Sequence, residues 1–271
     1  MFKRGYAMEK IHGTSARLSW HERNLTYFAG GASLGAFTAI FNDADLKAKL
    51  VEIAGDDKIT IYGEAYGGSM QKMSDVYGKS LGFIVFDVQY ESGWLTVPEA
   101  KAFAESLNLE FVPFVECAME IAALNALRDA PSEVAFRRGC GEDKQREGIV
   151  IRPLVEMTDT HGERVIAKHK TDKFRETTTP RDANIDPSKL TVLANAQTIA
   201  DEWCTAMRLE HVLDELPDAG IADTKKVLDA MIEDVRREGG KEIIWSRDAE
   251  AAVRKTTAAM FKAHLSSLIK N

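Results

Sequence analysis

The chain has 271 residues, 45% of them hydrophobic and 28% charged, with a net charge of −7. This is the composition of a globular protein with a substantial core, and it argues against a disordered, collagenous or disulfide-framed chain. No apolar run approaches the ~20 residues that span a bilayer, so no membrane association is expected.

The opening Met1–Tyr6 has no apolar leader core and no small-residue cleavage site, so a cytoplasmic location is expected. The three cysteines, Cys117, Cys140 and Cys204, and the six histidines show neither disulfide nor zinc spacing. Any metal is therefore expected to be oxygen-bound and to arrive with a substrate.

From Tyr6 to Thr26 the pattern predicts a strand, a turn and a strand, with Ala16, Leu18 and Trp20 alternating on one face. Lys10-Ile11-His12-Gly13 sits at the first turn. A lysine used as a nucleophile needs a pocket that removes its proton, and Gly13 lets backbone approach a ligand closely. By itself the run equally describes a solvated lysine before an ordinary turn.

Gly30-Gly31-Ala32-Ser33-Leu34-Gly35 lacks the Gly-Lys-Ser/Thr ending of a P-loop and is read as a turn before a helix over Ala44–Ala54. Lys58–Glu64 reads as a strand that delivers Glu64 at its tip, and Gly82–Val88 as a strand covered on both faces, with Asp87 among apolar residues. Taken singly, Glu64 is a solvated strand-end acid and Asp87 a turn residue.

Helices are predicted over Val97–Leu107, with Pro98 near its start, and over Glu116–Asp129. Phe111–Val115 between them reads as a short edge strand or loop. Arg146–Pro153 and Val165–Lys170 read as strands, the second with Lys168 and Lys170 on one face. Two lysines on a core-facing side are costly unless that face meets phosphate.

Between Arg164 and Arg181 six cations (Arg164, Lys168, Lys170, Lys173, Arg175, Arg181) face two acids (Asp172, Glu176), a candidate phosphate-facing surface despite the acidic total. The composition shifts after Pro180-Arg181 and Asp186-Pro187-Ser188. A first domain over 1–181 and a second over 187–271 are expected. The second is all helical, with helices at Thr191–Leu216, Asp223–Glu238 (Asp223 as N-cap) and Ser246–Lys270.

Five motifs now stand in one order: Lys10-Ile11-His12-Gly13, Tyr62-Gly63-Glu64, Phe83-Ile84-Val85-Phe86-Asp87, Glu147-Gly148-Ile149-Val150 and Lys168-His169-Lys170-Thr171-Asp172-Lys173-Phe174. Over Glu9 to Phe174 this order resembles the covalent nucleotidyltransferases, the superfamily of polynucleotide ligases and RNA capping enzymes. Histidine at position 12 is similar to the RNA ligase 2 family.

That resemblance implies an α+β fold. Its adenylation (nucleotidyltransferase) domain has two mainly antiparallel sheets with flanking helices, and a small all-helical C-terminal domain follows. The implied activity is ATP-dependent joining of 3′-hydroxyl and 5′-phosphate RNA ends, at nicks in duplex RNA or RNA/DNA hybrid, through lysyl-AMP and an adenylated 5′ end.

The resemblance also implies roles. Lys10 is the nucleophile, Lys168 and Lys170 hold the α-phosphate, and His12 acts at the pyrophosphate or in later steps. Glu9, Ile11, Ser15, Glu64, Phe86 and Glu147 contact the nucleotide, with Phe86 stacking on adenine. Glu64, Asp87 and Glu147 serve Mg²⁺, or Mn²⁺ in its place. Nucleic acid is the implied partner of a monomer.

The chain departs from the pattern at Ser15, where the family often has asparagine, and in lacking an arginine within Phe28–Leu34, for which Arg17 or Arg152 are candidate replacements. A DNA ligase, or a non-catalytic nucleotide- or RNA-binding module of the same fold, are the alternatives.

Overall fold

The computed structural model describes residues 2–91, 93–174, 195–216 and 219–268. The chain divides into two compact units, Met1–Thr171 and Asp172–Asn271. The expected domain limits at 181 and 187, the cations Arg175 and Arg181, Glu176, and the first residues of the helix expected from Thr191 lie outside the described residues.

The first unit opens on three strands, β1 (Arg4–Lys10), β2 (Thr14–His21) and β3 (Asn24–Ala29), the last beyond the two that alternation predicts. A short helix α1 (Leu34–Thr38) stands where a turn is expected, followed by α2 (Asp43–Ala54), whose first turn is capped by the Asn42 side chain.

Then come β4 (Ile59–Tyr66), α3 (Ser74–Tyr77), β5 (Gly82–Tyr90), β6 (Gly93–Trp94) and α4 (Val97–Ser106). Thr96 and Glu99 form a capping box at the start of α4, and Pro98 fits there because the first helical N–H groups need no partner.

Strands β7 (Glu110–Phe111) and β8 (Phe114–Ala118), helices α5 (Ile121–Arg128) and α6 (Glu133–Arg137), and strands β9 (Gly148–Pro153) and β10 (Ala167–Lys170) complete the unit. The helix expected from Glu116 begins only at Ile121, because Glu116–Ala118 pair with Arg4–Tyr6 of β1. A ladder made with a distant strand overrides the local helical pattern.

These strands make an antiparallel sheet in the order β10-β9-β1-β8 and a second sheet in the order β3-β2-β4-β5-β6, to which β7 adds in parallel beside β5. The unit is thus α+β with two mainly antiparallel sheets. Side-chain parity decides what each face does. On the first sheet Ala7, Ile149 and Ile151 turn to α5 and bury against Leu124, leaving Met8, Lys10, Val150, Lys168 and Lys170 for the other face. On the second, Ala16, Leu18 and Trp20 are buried, and Trp20 Nε1 donates to the Gly55 carbonyl at 3.0 Å.

The second unit is helical over its described length: α7 (Ala196–Trp203), α8 (Ala206–Glu215), α9 (Thr224–Gly239) and α10 (Arg247–Leu268). The long first helix expected there is broken at Cys204-Thr205, where the Thr205 hydroxyl caps α8. Asp223 does occupy the N-cap position of α9, but its carboxylate accepts from Gly220 N–H and Lys226 Nζ. Ile199, Trp203, Val212, Met231, Val235, Val253 and Phe261 form the core. No helix among the described residues is long and apolar enough to cross a membrane.

Candidate nucleotide-binding site

Register places the chemistry. Lys10 on β1 pairs with Gly148 on β9, and Gly148 pairs in turn with Lys170 on β10. One cross-strand row therefore reads Lys10, Gly148, Lys170, and the middle position must be small. A Cβ on Gly148 would stand 2.3 Å from the His169 carbonyl oxygen.

The carboxylate of Glu147 closes this row. Its Oε2 accepts from Lys10 Nζ at 2.8 Å and lies 3.3 Å from His12 Nδ1, and its Oε1 pairs with Lys170 Nζ at 3.0 Å. Glu147 is fully buried, at 0% exposure. Burial alone would push its carboxyl pKa up. The Lys10 ammonium, the His12 contact and Lys170 outweigh that and hold it well below the usual carboxylate range.

The turn after Lys10 is fixed from the second sheet. Glu64 Oε1 accepts the Gly13 N–H at 3.1 Å, and the Tyr77 hydroxyl faces the His12 N–H at 3.4 Å. Gly13 has no room for a side chain: a Cβ would meet the Ala65 carbonyl oxygen at 2.3 Å and Glu64 Cγ at 2.9 Å. Gly13→Ala is therefore expected to shift the turn, to cost about 1–3 kcal/mol of stability by overpacking, and to reduce nucleotide capture; thermal unfolding alongside a binding assay checks both.

Glu9 points the other way from Lys10. Its carboxylate accepts from the Ser132 hydroxyl and from Glu133 N–H at 2.9 Å, at the start of α6, and burial pushes its pKa up. What Glu9 offers the site is backbone. Ser15 is exposed on β2 in register with Glu64.

Between the sheets lies a cavity of about 360 Å³, lined at one end by Lys10, Ile11, Glu64 and Lys168, along its walls by Met8, Val112, Phe86 and Val150, and at the far end by Tyr62, Trp94, Arg152 and Arg164. That volume and its largely apolar lining suit a small flat ligand, with cations ready for an anionic group at the Lys10 end. Lys168, Lys170, Lys10, Glu64, Glu147 and His12 are thus brought together at that end, and Phe86 with Ile11 borders the apolar part.

Asp87 is placed differently from the metal-binding role expected of it. One carboxylate oxygen accepts from Arg152 Nη1 at 3.0 Å and the other from Arg164 Nη1 at 2.6 Å. Both guanidiniums also bond Glu156, and Arg164 stacks 3.8 Å from the Trp94 ring centroid. With both oxygens held by guanidiniums, the donor set at Asp87 is that of a structural anchor.

The same ties remove Arg164 from the expected basic surface. They also bury Arg152 at 2% exposure, so Arg152 is no free replacement for the absent arginine. Tyr62 enters the sequence reading only within the Tyr62-Gly63-Glu64 motif, Arg152 only as a candidate for the absent arginine and Arg164 only as one of six cations, and no motif marks Trp94. An alternating aromatic beside a cavity-facing strand was the only signal available.

Among the described residues no three Asp, Glu, His or Cys side chains converge as a cage for a metal ion. The carboxylates at the Lys10 end are Glu64, with Oε1 on the Gly13 N–H, and Glu147, with both oxygens paired to lysines, so an ion such as Mg²⁺, which keeps most of its waters, would be held by these two through its waters.

A protein-family model described as RNA ligase matches residues 4–170. Two solved structures of Naegleria gruberi RNA ligase variants, one with ATP and Mn and one with AMP and Mn, each show 16% identity and a TM-score of 0.50, covering 64% of this chain and 51% of theirs. An apo variant of the same ligase gives the same identity and score over 50% of its length. The chain spans about half the length of those ligases, and at this identity the likeness carries the fold. No curated protein sequence matches.

Proposed function

This chain belongs to the RNA ligase family, and on that premise we propose that it is an ATP-dependent enzyme joining RNA 3′-hydroxyl and 5′-phosphate ends through AMP carried on Lys10. The observation that carries this reading is the convergence of Lys10 and Lys170 on buried Glu147 at the cationic end of the cavity.

In this reading adenine lies against Phe86, with Val150 on the opposing sheet and the backbone of Glu9 and Ile11 along its edge. Lys168 and Lys170 hold the α-phosphate. Lys10 leaves Glu147, gives its proton to water and attacks phosphorus; the new N–P bond replaces the bond to pyrophosphate. AMP passes to an RNA 5′-phosphate, and a 3′-hydroxyl then displaces it.

Each step is phosphoryl transfer, in which positioning and charge neutralisation supply most of the catalysis. Glu64 and Glu147 would hold a divalent ion arriving with the triphosphate, which would supply part of that neutralisation. Glu147, with its depressed pKa, orients the two lysines and is a poor proton acceptor. In this reading His12 acts at the leaving pyrophosphate or in the later steps, and the helical second unit binds nucleic acid.

Matched nicked duplexes of RNA, DNA and hybrid, incubated with ATP and Mg²⁺, test the substrate. ATP-dependent sealing of the RNA-containing nicks, with a transient adenylated 5′ end, is the expected result. Preferential sealing of the all-DNA nick would move the assignment to a DNA ligase. ATP binding with no adenylated end on any duplex would make the chain a binding module.

A further inference from the structure

The face of the second sheet that walls the cavity continues past it to the β3 edge of that sheet. On β2 the outward positions Ser15 and Arg17 are exposed. Arg17 is in register with Tyr62, which lines the cavity, on one side, and with Phe28 of the edge strand β3 on the other. Side chains directly opposite in a ladder share a face, so Phe28, Arg17 and Tyr62 form one row leading to the cavity.

The pair at its outer end is unusual in what it leaves open. The Arg17 guanidinium lies 4.2 Å from the centroid of the Phe28 ring, and Phe28 is 42% exposed, which is costly for a phenylalanine with no partner. Among the described residues no carboxylate lies within ion-pair distance of Arg17, whereas Arg152 and Arg164 at the cavity's far end are each tied to Asp87 and Glu156.

Stacking engages only the face of a guanidinium. A guanidinium stacked by one face keeps a second face and an in-plane N–H fork, and these suit a nucleobase and a phosphate respectively.

We propose that Arg17 and Phe28 form a nucleotide platform for the RNA strand, with an unpaired base stacked on the Arg17–Phe28 pair and the adjoining phosphate accepting from the Arg17 fork. The identity of the strand as RNA rests on the ligase reading; the platform itself rests on the row of side chains. Arg17 and Tyr62 stand two register positions along the ladder from Ser15 and Glu64, so the bound nucleotide would run along the sheet beside the cavity. The chemistry recognised is a base with its phosphate, and single-stranded contacts of this kind tolerate sequence.

The test uses the full chain and a fluorescein-labelled, 5′-phosphorylated single-stranded RNA, with binding read by anisotropy across a salt series. AMP-adduct formation on incubation with ATP and Mg²⁺ is read by intact mass on the same preparations. Arg17→Ala is expected to weaken RNA binding about tenfold and to lower the log–log salt slope by roughly 0.7, the value for one phosphate contact on a single strand.

Phe28→Ala is expected to weaken binding by a similar factor with the slope unchanged, because stacking releases no counterion. Arg17→Lys should keep the slope and lose part of the affinity. All three should form the adduct as the parent does. Parent-like RNA affinity and slope in both alanine variants would overturn the platform, and so would joint loss of RNA affinity and of the adduct. Weakened RNA binding in a chain that forms no adduct even as the parent would uphold the platform and defeat the ligase reading.

Discussion

Lys10→Ala is expected to abolish AMP capture and to lower strand joining by at least about 10⁴-fold, the scale on which loss of a covalent nucleophile is felt. No neighbour is placed to replace it. Lys170 also reaches Glu147, but it enters from β10, two strands away across Gly148, and Lys168 lies one ladder step further from the turn. Lys10→Arg is expected to be equally inactive: it keeps the charge and the pairing with Glu147, but a guanidinium does not deprotonate. The measurement is single-turnover sealing with ATP, supported by ATP affinity, which both variants should largely retain.

Glu147→Gln has the largest expected effect on stability, about 3–5 kcal/mol, because it leaves Lys10 and Lys170 without the buried carboxylate that they share. By comparison, an exposed pair such as Arg4–Glu116 contributes at most about 1 kcal/mol.

The effect carries a pH signature. The Glu147 pKa is lowered on folding, so its contribution is fully present above the ordinary carboxylate range and is lost as pH falls through the depressed folded value. Parent and Glu147→Gln should therefore differ most in denaturant midpoint near neutral pH and converge in acid. A constant difference down to the acid transition would show that the lost charge is not the cause.

Much of this site was legible in the sequence because it is written in strand parity. Lys168 and Lys170 alternate around His169, and the structure puts both lysines on the cavity face while His169 turns to Asn125 of α5 at 2.8 Å. The order of motifs likewise carried the fold, since each lies on, or at an end of, a strand of one of the two sheets.

What the sequence could not give is contact across distance. Lys10 and Glu147 are 137 residues apart, and only the pairing of β1 with β9 brings them to 2.8 Å. Nothing near Asp87 in the chain announces Arg152 and Arg164, which occupy its oxygens from 65 and 77 residues away. Glu116–Ala118 looked helical because their ladder partner is at the other end of the domain. Local pattern fixes which face a side chain takes, and long-range pairing fixes what it meets there.

The most direct test of the account is the site of covalent modification. The purified chain, incubated with ATP and Mg²⁺, is weighed intact and then digested and mapped by peptide mass. The account predicts a gain of one AMP, located on Lys10. AMP on another residue, or no adduct under conditions where ATP binds, would contradict it.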